Sequence, residues 1–188
     1  MAIQSQRPRR KLGYEDYARF PDDGRRWEII DGEAFVVPSP TTDHQDVILR
    51  LATEVKNHLD RHGGGRVFVA PLDVILGPHD VFQPDVIFVA DADASIVTTT
   101  HIRGVPTWVV EVVSDPVRDR KVKRDTYMRY GVGEYWVVDP ELRRVEVYRP
   151  GADPLVVEPP ATLSPRALPG LSIDVMVVLG PDTRPRRL

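Results

Sequence analysis

The chain has 188 residues, 41% hydrophobic and 28% charged, the size and balance of one globular domain whose core needs no crosslinks. It contains no cysteine, which excludes a disulfide scaffold, a zinc–thiolate centre and a cysteine nucleophile, and fits a reducing compartment. A formal net charge of −3 argues against a sequence-blind nucleic-acid coat protein but leaves a nuclease open, because phosphate binding depends on where the basic residues sit.

They sit in clusters: Arg7, Arg9, Arg10 and Lys11; Arg25 and Arg26; the 118–124 segment; and Arg184, Arg186 and Arg187. The two terminal clusters lie among prolines, so 1–12 and 181–188 are expected to be disordered basic tails around one domain spanning 13–180. No apolar run approaches the roughly 18–20 residues that span a bilayer. MAIQSQRPRRKL has basic residues without a following apolar stretch, so no secretory signal is expected and the location expected is cytoplasmic.

In chain order, YEDYARF (14–20) suits a short helix stopped by Pro21 and the Asp22-Asp23-Gly24 turn. RRWEIIDGEAFVVP (25–38) reads as a hairpin turning at Asp31-Gly32, with Glu28 among apolar neighbours in its first strand. Thr41, Thr42 and Asp43 are N-cap candidates for a helix to about Arg61, in which Val47, Leu51, Val55 and Leu59 form an apolar stripe. His44 and Gln45 fall in its first turn, and His62 to Gly65 ends it.

VFVAPLDVIL (67–76) reads as one strand kinked at Pro71, with Asp73 either outward-facing or beside a site, and GPHD (77–80) turns the chain into the Asp85 strand. QPDVIFVA (83–90) and TWVVEVVSD (107–115) are buried strands, each carrying one carboxylate, Asp85 and Glu111. Between them, 90–104 is a polar excursion without the glycine and closing glutamate of a calcium loop. RDRKVKRDTYMRY (118–130) is a basic helix in which Asp119, Lys123 and Tyr127 share a face. Lys121 lies about 160° round from Lys123 at roughly 100° per residue. EYWVVD and RRVEVYRP make a second hairpin, LVVEP adds an edge strand, and Ile173–Leu179 packs back as a strand or short helix.

A carboxylate in a buried strand is costly unless a cation or donors compensate it. Two such strands followed by a basic helix lay out a hard-oxygen site for Mg²⁺ or Mn²⁺ with a lysine nearby. The competing reading is a purely structural pairing of the two carboxylates with the basic helix.

Together WEIIDGE, the QPD strand, the EVVS strand, the D-x-x-x-K-x-x-x-Y helix and GVGEYWVVDP resemble the Uma-type restriction endonuclease family of the PD-(D/E)xK nuclease superfamily, over roughly 13–180. The resemblance implies an α/β fold: a restriction-endonuclease-like mixed β-sheet core flanked by helices, with additional β-hairpins. It implies Asp85 and Glu111 as metal ligands, Glu28 as the first-strand acidic partner and Lys123 as the catalytic lysine. The superfamily's lysine two residues after the acidic residue is Val113 here, so the lysine comes from the next helix, with Lys121 as the competitor. His44, Gln45, Asp73, Asp119 and Lys121 are possible accessory residues.

The function expected is a Mg²⁺- or Mn²⁺-dependent endonuclease acting on nucleic acid, DNA first, and dimeric because cutting both strands favours two sites. Two rivals stand beside it: an inactive nuclease fold that binds nucleic acid or a protein, and a hydrolase of another phosphate ester. No separate DNA-reading module is visible in the sequence.

Overall fold

The computed structural model describes residues 10–181. Of the expected basic tails, 1–12 and 181–188, residues 1–9 and 182–188 lie outside the described residues. Within the expected N-terminal tail, Arg10 pairs with Asp16, Lys11 with Asp31, and the Leu12 N–H donates to Gly32 O at 2.9 Å.

Helix α1 (Tyr14–Tyr17) leads into the hairpin β1 (Arg26–Ile30) and β2 (Glu33–Val37). Its turn has positive φ at both Asp31 (49°) and Gly32 (82°), the primed geometry whose twist matches the flanking strands. Helix α2 (Thr42–His62) starts at Thr41, whose hydroxyl accepts the His44 N–H at 3.2 Å. Strands β3 (Gly65–Val69), β4 (Asp73–Gly77), β5 (Asp80–Phe82) and β6 (Val86–Ala90) follow.

Residues 67–76 are therefore not one kinked strand. β3 and β4 belong to different sheets, because Pro71 has no N–H to continue a ladder and the chain leaves the sheet of β3 there. GPHD turns the chain not directly into the strand beside Asp85 but into β5, which pairs with β4 and already includes Asp80. A 3₁₀ helix (Asp91–Ile96) and β7 (His101–Arg103) occupy the polar excursion. Then come β8 (Trp108–Val112), a π-helical segment (Arg118–Lys123) running into α3 (Arg124–Tyr130), β9 (Glu134–Asp139), β10 (Arg144–Tyr148), β11 (Leu155–Val157), β12 (Thr162–Leu163), β13 (Ile173–Asp174) and α4 (Val175–Leu179).

Among the described residues, one sheet runs β2-β1-β5-β4-β7, a second runs β11-β10-β9-β8-β6-β3, and β12 pairs with β13. In the second sheet β8 and β9 are parallel, so the chain must cross over between them, and the π-helical segment with α3 is that crossover. Alternation sorts the side chains of the central strands onto two faces. Trp108, Val110 and Val112 pack with Trp136, Val138 and the α2 stripe, while Val109 and Val137 face Tyr127, Tyr135 and the first sheet. Glu111 has the parity of Val109, so its carboxylate points toward the crossover helix. The fold is a mixed α/β sheet core flanked by helices, with additional hairpins.

Candidate active site

The site lies at the seam between the two main sheets. β5 of the first sheet ends at Phe82, β6 of the second begins at Val86, and Gln83-Pro84-Asp85 is the step between them. The Gln83 N–H donates to Glu28 Oε1 at 3.1 Å, tying the step to β1. Val86 pairs with Val110, so extending this antiparallel register by one residue sets Asp85 opposite Glu111. Asp85 itself stands just before the regular strand rather than inside it, held by the Val112 N–H to its Oδ2 at 2.8 Å. His44 Nε2 lies 3.0 Å from Asp85 Oδ1.

Lys123 reaches back from the crossover. Its Nζ donates to Glu28 Oε1 at 2.9 Å and to Glu111 Oε1 at 3.0 Å, and lies 4.0 Å from Asp119 Oδ1. The Tyr127 hydroxyl also donates to Glu111 Oε1, at 3.0 Å. The spacing of Asp119, Lys123 and Tyr127 thus delivers all three to one cluster, although the first turn is π- rather than α-helical. Asp119 receives the Ser114 and Asp115 N–H groups of the preceding turn on Oδ2, and Asp115 Oδ1 in turn accepts the Arg118 N–H at 3.0 Å where the helix starts.

Every member of this group is shielded from water: Glu28 is 0% exposed, Asp119 1%, Glu111 3%, Asp85 4% and Lys123 4%. Lys121 is exposed, and so is Gln45. Asp73 lies outside the Lys123 cluster. Its Oδ1 accepts from Tyr17 Oη at 2.7 Å and Gln83 Nε2 at 2.9 Å, so it reaches the site only through Gln83. Sequence reasoning missed three parts: the Tyr127 hydroxyl on Glu111, and the Gln83 and Val112 amides. For Tyr127 the signal was there, since it lies four residues beyond Lys123; the amide contacts leave no trace in residue types.

Burial, first, pushes the Glu111 carboxyl well above the ordinary carboxylate range; Lys123 opposes that, and Asp85, Glu28 and Asp119 add to it. Burial also raises Asp119, against Lys123 and the two amides. For Lys123 burial acts downward, but Glu111, Glu28 and Asp119 outweigh it, so the ammonium holds its proton more tightly than an ordinary lysine. The Tyr127 hydroxyl is held neutral by burial and by Glu111.

Four buried carboxylates thus share one buried ammonium and one imidazole. Glu28 Oε2 is buried and without a hydrogen-bond partner. Among the described residues no three His, Cys, Asp or Glu side chains converge as a ready metal cage. Mg²⁺ does not need one: it takes one or two carboxylates and keeps its waters. The pair Asp85 and Glu111, both hard oxygen donors, fits such an ion.

The family model described as "Putative restriction endonuclease" (Uma2) matches residues 14–176. The chain belongs to the Uma2 family. A solved structure described as "a putative nuclease belonging to DUF820" from Anabaena variabilis superposes with a TM-score of 0.76 at 20% identity, covering 89% of this chain and 97% of that one. At that identity the likeness speaks for the fold. No curated protein matches the chain. Within the Uma2 fold seen here, Glu28, Asp85, Glu111 and Lys123 come from β1, the inter-sheet step, β8 and the crossover, and the fold brings them together at one seam.

Proposed function

We propose that this chain is a divalent-metal-dependent endonuclease that hydrolyses phosphodiester bonds, in DNA first. The observation that carries the reading is the excess of buried carboxylate at the seam between the sheets. One ammonium does not neutralise Glu28, Asp85, Glu111 and Asp119, and buried charge without a counter-charge is strongly unfavourable. A divalent cation would remove that imbalance. Asp85 and Glu111 are the residues that would hold Mg²⁺ or Mn²⁺, which when bound makes a water acidic enough to attack and offsets charge on phosphate.

The protein's own groups supply the rest. Glu28 and Glu111 aim the Lys123 ammonium and keep it charged, providing positive charge where the phosphoryl group gains negative charge. Tyr127 and Lys123 share Glu111 Oε1, and this fixes the rotamer of Glu111. Lys121, exposed on the same helix, suits a phosphate contact at the surface. Cutting both strands of a duplex calls for two such sites, hence a homodimer.

The test is cleavage of supercoiled plasmid and of an RNA of similar length, in Mg²⁺, Mn²⁺ and EDTA. Wild type should cut only with metal. Asp85→Ala and Lys123→Ala should lose at least about 100-fold, the scale of removing one transition-state contact. Lys121→Ala should mainly weaken binding, with a shallower salt dependence. No cleavage of either substrate by wild type would remove the nuclease reading, and cleavage by Asp85→Ala at the wild-type rate would move the site.

A further inference from the structure

The inward face of α2 carries Val47, Ile48, Leu51, Val55 and Leu59 and two histidines, His44 where the helix begins and His58 near its end. Thr41 fixes the helix start by capping the His44 N–H, so the ring is delivered to a set place against the seam. There it is 7% exposed, with Nε2 3.0 Å from Asp85 Oδ1. An ionised carboxylate only accepts, so the ring nitrogen facing it is the donor. The Val112 N–H holds the other oxygen at 2.8 Å. Two elements that are far apart in sequence therefore clamp one carboxylate from both sides.

A purely packing role explains this poorly, since a buried imidazole costs desolvation that another valine or leucine would not. His44 also lines a cleft of ≈ 360 Å³ between the start of α2, Val112, Val113 and the Asp139–Arg143 turn. The ring thus touches both solvent-accessible space and Asp85.

We propose that His44 is a positioning residue. Its Nε2–H sets the orientation in which Asp85 takes up a divalent ion, without itself ligating that ion. The inference rests on the metal site of the proposed function. Donors standing behind ligating groups are typically worth about 10–100-fold in metal affinity.

Calorimetric titration of Mn²⁺ into the full chain, with no nucleic acid present, tests it on wild type, His44→Phe and His44→Gln. Phenylalanine keeps a ring and removes the donor, whereas glutamine restores an N–H. His44→Phe should bind Mn²⁺ about 10–100-fold more weakly, and His44→Gln should regain most of the loss. Should His44→Phe not fold, His44→Ala takes its place in the same comparison. Wild-type affinity in the donor-less variant, or an equal loss in His44→Gln, overturns the inference. A chain with this His44 dependence that cleaves no nucleic acid keeps the inference and loses the nuclease reading. Metal-dependent cleavage by wild type, with Mn²⁺ affinity indifferent to His44, removes the inference alone.

Discussion

The ammonium of Lys123 lies 2.9 and 3.0 Å from two carboxylates and 4.0 Å from a third, all of them buried. Removing it leaves Glu28 and Glu111 as buried acids without a counter-charge, a change that typically costs about 3–5 kcal/mol. Lys123→Ala should therefore be destabilised by that order at neutral pH as well as inactive. The sign with pH follows from the acids left behind. The folded-state pKa of Glu111 lies above the unfolded one even with Lys123 present, and removing the ammonium that opposes this shift raises it further. Stability is then lost at high pH and regained as pH falls through the raised value. Urea unfolding at about pH 8 and about pH 5 should show the deficit shrinking in acid. A deficit that stays constant would mean Lys123 contributes packing rather than charge. The sequence made Lys123 legible through its spacing from Asp119 and Tyr127. It could not show that Glu28 would take up the same ammonium from 95 residues away.

At the scale of elements, the crossover is held to the second hairpin by a separate polar network. Arg120 pairs with Asp139, and its Nε donates to Glu146 Oε1 at 2.7 Å, while the Tyr148 hydroxyl donates to Glu146 Oε2 at 2.6 Å. Burial alone would raise Glu146, but the hydrogen bonds from Tyr148 and Arg120 outweigh it and hold the carboxyl below its ordinary 4.5. A depressed carboxylate contributes stability that is present above the unfolded value and lost as pH falls through the folded one. Glu146→Gln should therefore melt below wild type at neutral pH, with the gap closing as pH falls below about 4.5. Thermal melts across that range check it, and a gap that widens in acid would contradict the account.

The same scale shows where sequence reading stops. The first hairpin, α2, the Asp85 and Glu111 strands and the 134–148 hairpin were legible, because each has a full period or a defining turn. β5 and β7 were not. They are three residues long, too short for a pattern, and they exist because neighbouring strands of the first sheet pair with them. The break at Pro71 looked like a kink because nothing local announces a change of sheet.

For the whole molecule, the site depends on two sheets meeting at a three-residue step, so no single element contains it. β1 brings Glu28, the step brings Asp85, β8 brings Glu111, and the chain crossing from β8 to β9 brings Lys123 over them. Among the described residues, no helix is long and apolar enough to cross a membrane. Register explains why Asp85 and Glu111 face each other, and register is the part of a sheet that strand-by-strand reading leaves open. The central claim is that this convergence of buried acids is a divalent-metal site. It is tested most directly by anomalous diffraction from crystals soaked in Mn²⁺. The account predicts a peak within about 2–2.5 Å of oxygens from both Asp85 and Glu111, lost in Asp85→Ala crystals. Crystals fully exchanged with Mn²⁺ that show no peak there, with Lys123 still bridging Glu28 and Glu111, would contradict it.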